Sequence, residues 1–194
     1  IERFRENGLT LAQNTLAAKF SNTRQLIRRT LHDNVKLRED TEIKRTVEIL
    51  EKGMKKIFQT STIEEAMGIE GNCAESYFGI FDKLITNENV SFHFELRTKR
   101  PPLDPINAVL SFVYTLSTNE FAAALETVGL DSYIGYCHAL RSGRKSLACD
   151  MVEESRCIVE RFVITLLNLR ILGEKDFDKQ VSGAVWLNAD GRKK

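Results

Sequence analysis

Residues 104–129, DPINAVLSFVYTLSTNEFAAALETVG, hold the reading that decides the fold. Asp104 suits an N-cap, where a carboxylate accepts the orphan amides of the first turn, and Pro105 suits the first helical position, where its missing donor costs nothing. From there the segment runs through Phe112, Phe121 and Leu125 towards Gly129, apolar on most of its surface. A helix apolar nearly all round is one enclosed by others, so the stretch predicts a mainly α, multi-helix domain with this helix at its centre. Asn107 and Tyr114 are its polar exceptions, expected to be buried, hydrogen-bonded braces.

Working outward, residues 9–31 place Leu9, Leu16, Phe20, Ile27 and Leu31 at helical spacing, with Lys19, Arg24, Arg28 and Arg29 between them as a basic side. Residues 41–58 carry Ile43, Val47, Leu50, Met54 and Ile57 at steps of four and three, an apolar stripe. Ser61 to Glu64 reads as a capping box opening a third helix to residue 85. Ser146 is a good N-cap for a last long helix to residue 169, its core stripe Leu147, Met151, Ile158, Phe162 and Leu166. Residues 87–99 alternate Val90, Phe92, Phe94 and Leu96, as a strand or an extended connector would, with His93 on the polar phase. Beyond Gly173, Phe177 and the run Ala184 to Leu187 predict a short β segment and a turn at Asn188 to Gly191, the chain stopping before a second strand. The expected organisation is a helical domain over residues 1–172, with 173–194 a strand-and-turn extension of the same domain.

A chain of 194 residues with 42% hydrophobic content can bury a substantial core. No run of 18 apolar residues is present, so no membrane-spanning helix is predicted. The first six residues carry neither a signal-peptide core nor a starting methionine, as expected of a fragment. A net charge of +1 excludes binding to nucleic acid through bulk charge and leaves two local patches, Arg97 with Lys99 and Arg100, and Arg141 with Arg144 and Lys145. Cys73, Cys137, Cys149 and Cys157 lack zinc-binding spacings and read as reduced thiols of a cytosolic protein.

Residues 136–161, YCHALRSGRKSLACDMVEESRCIVER, concentrate the chemistry. His138 precedes a basic glycine turn, and Asp150 and Glu153 are three apart, hence on one face of the following helix. Glu70 shares a stripe with Ala74, Tyr77, Phe81 and Leu84, where a carboxylate needs a partner; an ion pair and a metal ion are equally open. Gly68 and Gly71 beside it point to a bend or a close approach. Two carboxylates and an imidazole suit Mn²⁺ or Mg²⁺, the histidine favouring Mn²⁺, and Arg144 or Lys145 could offset charge on a phosphoryl transition state. The His32-Asp33 dipeptide fails as an HD phosphohydrolase signature, because His93 and His138 both lie downstream.

Five stretches, Arg100 to Asn107, Thr118 to Phe121, Gly129 to Asp131, His138 to Arg144 and Ser146 to Arg156, together with Glu70-Gly71, Ala74 and Tyr77-Phe78, closely resemble the large integrase-nuclease subunit of CRISPR adaptation. The resemblance implies a divalent-metal-dependent DNA endonuclease and integrase that joins the 3′-OH ends of captured DNA to the CRISPR repeat by transesterification. It implies Glu70, His138 and Glu153 as metal ligands and Asp150 as a neighbouring catalytic acid, the third ligand resting between Glu153 and Asp150. Arg100, Arg141, Arg144 and Lys145 are the expected DNA contacts. Implied partners are double-stranded DNA and a small ferredoxin-like CRISPR-associated protein, in the cytoplasm of a prokaryote and without a membrane. Members of the family carry an N-terminal β domain that makes a homodimer; this chain begins after it and is expected to be monomeric, with impaired integration. The alternative is a non-catalytic helical DNA-binding or assembly module whose acids form ion pairs only.

Overall fold

Local signals in the sequence set the element boundaries of the computed structural model, which describes residues 7–194; residues 1–6, read above for a leader, lie outside it. Among the described residues there are five α-helices: α1 (Gly8–Asp33), α2 (Thr41–Lys56), α3 (Ile63–Gly79), α4 (Pro105–Thr127) and α5 (Ser146–Asn168). A two-stranded antiparallel hairpin follows, β1 (Phe177–Lys179) with β2 (Val185–Leu187), in which Phe177 faces Leu187. The fold is therefore mainly α with a short β segment near the C-terminus.

Capping accounts for most helix starts. Asp104 accepts the Asn107 amide at 2.8 Å with proline next to it, as its sequence predicts. Asp40 caps α2 through the amides of Glu42 and Ile43. Two starts differ from expectation by one position. At α3 the cap is Thr62, which accepts from the Glu65 amide, while the Glu65 carboxylate takes the Ser61 amide at 2.7 Å. At α5 Ser146 lies inside the first turn and donates to the Ala139 carbonyl, and the N-cap is Lys145 without a side-chain bond. α3 stops at Gly79, giving way to a 3-10 turn at Asp82–Leu84.

The centre of the bundle is the pair α1 and α5, not α4. α1 packs against α2, α3 and α5, whereas α4 packs against α5 and the hairpin. Leu16, Phe20 and Ile27 of α1, Leu50 of α2, Phe81, and Ile106 and Leu110 of α4 are almost wholly buried. α5 presents a different face from the apolar stripe read in the sequence. Met151, Ile158 and Phe162 are exposed, while Asp150, Glu153 and Glu160 point inward with Val152, Val159 and Val163. Three inward acids have partners waiting for them, which turns the helix by about 100°, one residue's rotation.

Residues 87–99 are an extended connector with Phe92 and Phe94 buried and His93 outside. Fully buried Asn107 pins it, accepting from the Thr98 amide and Arg97 and donating to the Leu96 carbonyl. The last segment is a hairpin because the missing strand lies upstream, at Phe177; the Val185 amide ties it to the Pro102 carbonyl. Gly68 and Gly71 lie in an unbroken helix, and a Cβ on either would meet nothing within 4 Å, so neither marks a bend or a close approach in the fold. No helix among the described residues is long and apolar enough to cross a membrane.

Candidate metal and active centre

Three helices deliver the central charges. Glu70 comes from the middle of α3, Glu153 from the second turn of α5, and Lys19 from the buried side of α1 between Leu16 and Phe20. The Lys19 ammonium donates to Glu70 Oε1 and, at 2.6 Å, to Glu153 Oε2. Arg156, one turn beyond Glu153, sets its Nε 2.9 Å from the same Oε2. Its guanidinium lies 4.6 Å from the centre of the Tyr114 ring. Lys19, Glu70, Glu153 and Arg156 wall a cavity of about 160 Å³, with His138, Tyr77 and Lys99 also in its lining.

His138 enters from the loop before α5, and Asp150 holds it there. The Asp150 carboxylate, wholly buried, accepts the amides of Tyr136, Cys137 and His138 and Nδ1 of the His138 ring at 2.6 Å. With four donors, the carboxylate is saturated. An Nδ1–H committed to Asp150 leaves Nε2 with its lone pair on the cavity side, 4.0 Å from Glu153 Oε1. The loop fits only because residue 135 is glycine: a Cβ there would stand 2.6 Å from Asp150 Oδ2 and 2.8 Å from Ser146 Cβ.

Burial alone would push the Glu153 carboxyl up, but the charges of Lys19 and Arg156 outweigh it and bring it down to about 2. The same carboxylates, against the effect of burial, hold the Lys19 ammonium above its ordinary value. Behind Arg156, burial pushes the Glu160 carboxyl up, and the Tyr114 hydroxyl donates to it. Burial also raises the thiols of Cys73 and Cys137, to about 11 and about 12, which keeps them inert as nucleophiles.

The structure brings Glu70, His138 and Glu153 to one cavity and places Asp150 behind the histidine. Of the basic residues, Arg100 and Arg141 are exposed and Arg144 and Lys145 half-buried, and none of the four lines the cavity. Arg97 is structural, held by Asn107 and Ser111. Arg24 and Arg28 pair with Glu51 and Arg29 with Asp33, which leaves the basic side of α1 mostly neutralised. His32 bonds its neighbour Asp33 on the surface. Lys19 and Arg156 were not legible as site residues; the one hint was a lysine set among the apolar positions of α1.

The donor set fits a divalent ion of the Mn²⁺ or Mg²⁺ kind, since two carboxylates and an oriented imidazole nitrogen face one cavity already organised around a positive charge. As placed, with the ammonium between the acids, no three His, Cys, Asp or Glu side chains among the described residues stand close enough to share an ion.

The helical domain has solved counterparts. A casposase bound to integration product superposes with a TM-score of 0.83 at 25% identity, over 97% of this chain and 53% of that one. A Cas6-RT-Cas1–Cas2 complex gives 0.82 at 28% identity, over 96% of this chain and 20% of its counterpart. The chain belongs to the family described as CRISPR associated protein Cas1, whose profile matches residues 2–194. The CRISPR-associated endonuclease Cas1 of Leptospira interrogans is 39% identical over 193 residues, which is 100% of this chain and 75% of that protein. The chain thus spans about half the casposase and a fifth of the chain matched in that complex.

Proposed function

We propose that this chain is the catalytic helical part of a divalent-metal-dependent DNA endonuclease and integrase of CRISPR adaptation. The observation that carries the reading is the convergence of Glu70, Glu153 and the Asp150-oriented imidazole of His138 on one cavity. Glu70, Glu153 and Nε2 of His138 would hold Mn²⁺ or Mg²⁺, and the bound ion would supply Lewis-acid stabilisation of charge at a phosphodiester. Asp150 fixes the histidine tautomer and ring direction; Glu153, not Asp150, is the third ligand, because all of Asp150's bonds are taken up behind the site. Lys99 and Arg156 make the wall positive towards a phosphate. Arg100 and the loop carrying Arg141, Arg144 and Lys145 meet the backbone of double-stranded DNA outside it.

The reaction assigned is transesterification, in which a 3′-OH of captured DNA replaces one ester oxygen at a phosphodiester of the repeat. The further partners are a small ferredoxin-like CRISPR-associated protein and a second copy of the protein, in the cytoplasm of a prokaryote. Support for such a partner comes from the Cas1–Cas2 assembly to which the fold is similar.

One observation favours the second reading, a non-catalytic DNA-binding or assembly module: both acids already pair with Lys19. His138→Ala separates the two. Loss of Mn²⁺-dependent cleavage of double-stranded DNA with an unchanged circular-dichroism spectrum supports the enzyme; unchanged cleavage by the variant contradicts it.

A further inference from the structure

Lys19 is the charge in the centre that sits between both acids proposed to hold the ion. Its side chain is 11% exposed, and its ammonium bonds the two carboxylates proposed as metal ligands, at 17% and 5% exposure. We propose that Lys19 is a resident counter-cation standing in the metal position, so that ion entry requires its ammonium to withdraw from Glu70 and Glu153. This rests on the metal reading above and adds a competition that sets metal affinity.

The argument is one of space and charge. Carboxylate oxygens that hold an ammonium at hydrogen-bonding distance cannot turn the same lone pairs on an ion with ligand bonds near 2.1 Å, and a third cation within about 4 Å would be repelled by the ammonium. Charge repulsion therefore favours withdrawal of one of the two cations beside Glu153. Arg156 is fixed: its guanidinium stacks on Tyr114 and its side chain lies along the buried wall of the cavity. Lys19 is different, a compact charge on a flexible four-carbon stem whose bonds among the described residues go to the two acids. Its charge keeps the half-buried Glu70 of α3 and the buried Glu153 of α5 from repelling each other. It therefore both stabilises the pair of acids and opposes entry of the ion.

The test titrates MnCl2 calorimetrically into the chain as wild type, Lys19→Met, Lys19→Arg and Glu70→Gln, with melting followed in EDTA and in Mn²⁺. Removing the competing charge is expected to tighten Mn²⁺ binding by on the order of tenfold or more in K19M. K19R, which keeps the charge, is expected to show no gain. In EDTA, K19M melts lower than wild type, and Mn²⁺ raises its melting temperature by more than it raises that of wild type. Should K19M unfold without metal, Mn²⁺ is expected to restore its fold. Equal or weaker binding by K19M, or no rescue by Mn²⁺, overturns the proposal while leaving the metal site standing, provided E70Q abolishes binding. Absence of Mn²⁺ binding in every protein overturns both.

Discussion

Asp150 Oδ1 and His138 Nδ1 lie 2.6 Å apart, and the same carboxylate gathers three consecutive backbone amides of the loop that carries the histidine. One buried acid thus fixes both the ring and the path of its backbone. Asp150→Asn would turn an amide NH2 towards donors. It is expected to cost about 2–4 kcal/mol in urea unfolding and to weaken Mn²⁺ binding by about 10–100-fold. A variant within 0.5 kcal/mol of wild type would show that the carboxylate does not organise the loop.

Glycine has opposite consequences at two places near the site. A Cβ at residue 135 would drive into Asp150 and Ser146, so Gly135→Ala is expected to destabilise by about 1–3 kcal/mol. At Gly71, exposed within α3 with open space around it, alanine is expected to stabilise by up to about 1 kcal/mol. Thermal melting of the two variants is expected to diverge in sign; a loss at both positions would mean that Gly71 has a contact the fold does not explain.

Glu153 gives the centre an acid limit. Its carboxyl, ordinarily at 4.5, is held at about 2 although burial works the other way, because Lys19 and Arg156 dominate. A carboxyl depressed on folding contributes stability that is complete above its unfolded value and is lost as the pH falls through the interval down to the folded one. At about 1.4 kcal/mol per pH unit, that interval amounts to about 3 kcal/mol. In EDTA, wild type is expected to exceed Glu153→Gln in stability at pH 5.5 and to lose a lead of that size by pH 2. Parallel pH profiles for the two proteins would contradict the pairing.

Behind the site, Tyr114 donates to a carboxyl of Glu160 that burial has already raised. Tyr114→Phe removes that donor while keeping the ring beneath Arg156, and is expected to cost about 1–3 kcal/mol in urea unfolding. No measurable change would mean that water replaces the hydroxyl.

How much of this was legible depended on how local the cause was. The helices and the Asp104 cap follow from periodicity and end signals a few residues apart. The face of α5 did not, because Glu153 and Glu160 are stabilised inward by Lys19 and Tyr114, far away along the chain, and an apolar stripe drawn through Met151, Ile158 and Phe162 cannot register them. The hairpin was half-seen for a similar reason: β1 is only three residues, Phe177–Lys179, too short for its alternation to stand out. Lys19 was lost among Arg24, Arg28 and Arg29, one basic residue in a run of four, although it alone turns inward to the centre.

The claim that Glu70, His138 and Glu153 form a metal centre is tested most directly by anomalous diffraction at the manganese edge from crystals of this chain equilibrated with MnCl2. The account predicts one strong peak bounded by Glu70, Glu153 and Nε2 of His138, at about 2.0–2.3 Å from each, with the Lys19 ammonium displaced. An ammonium still seated between the two carboxylates, with manganese absent or bound elsewhere, would contradict it.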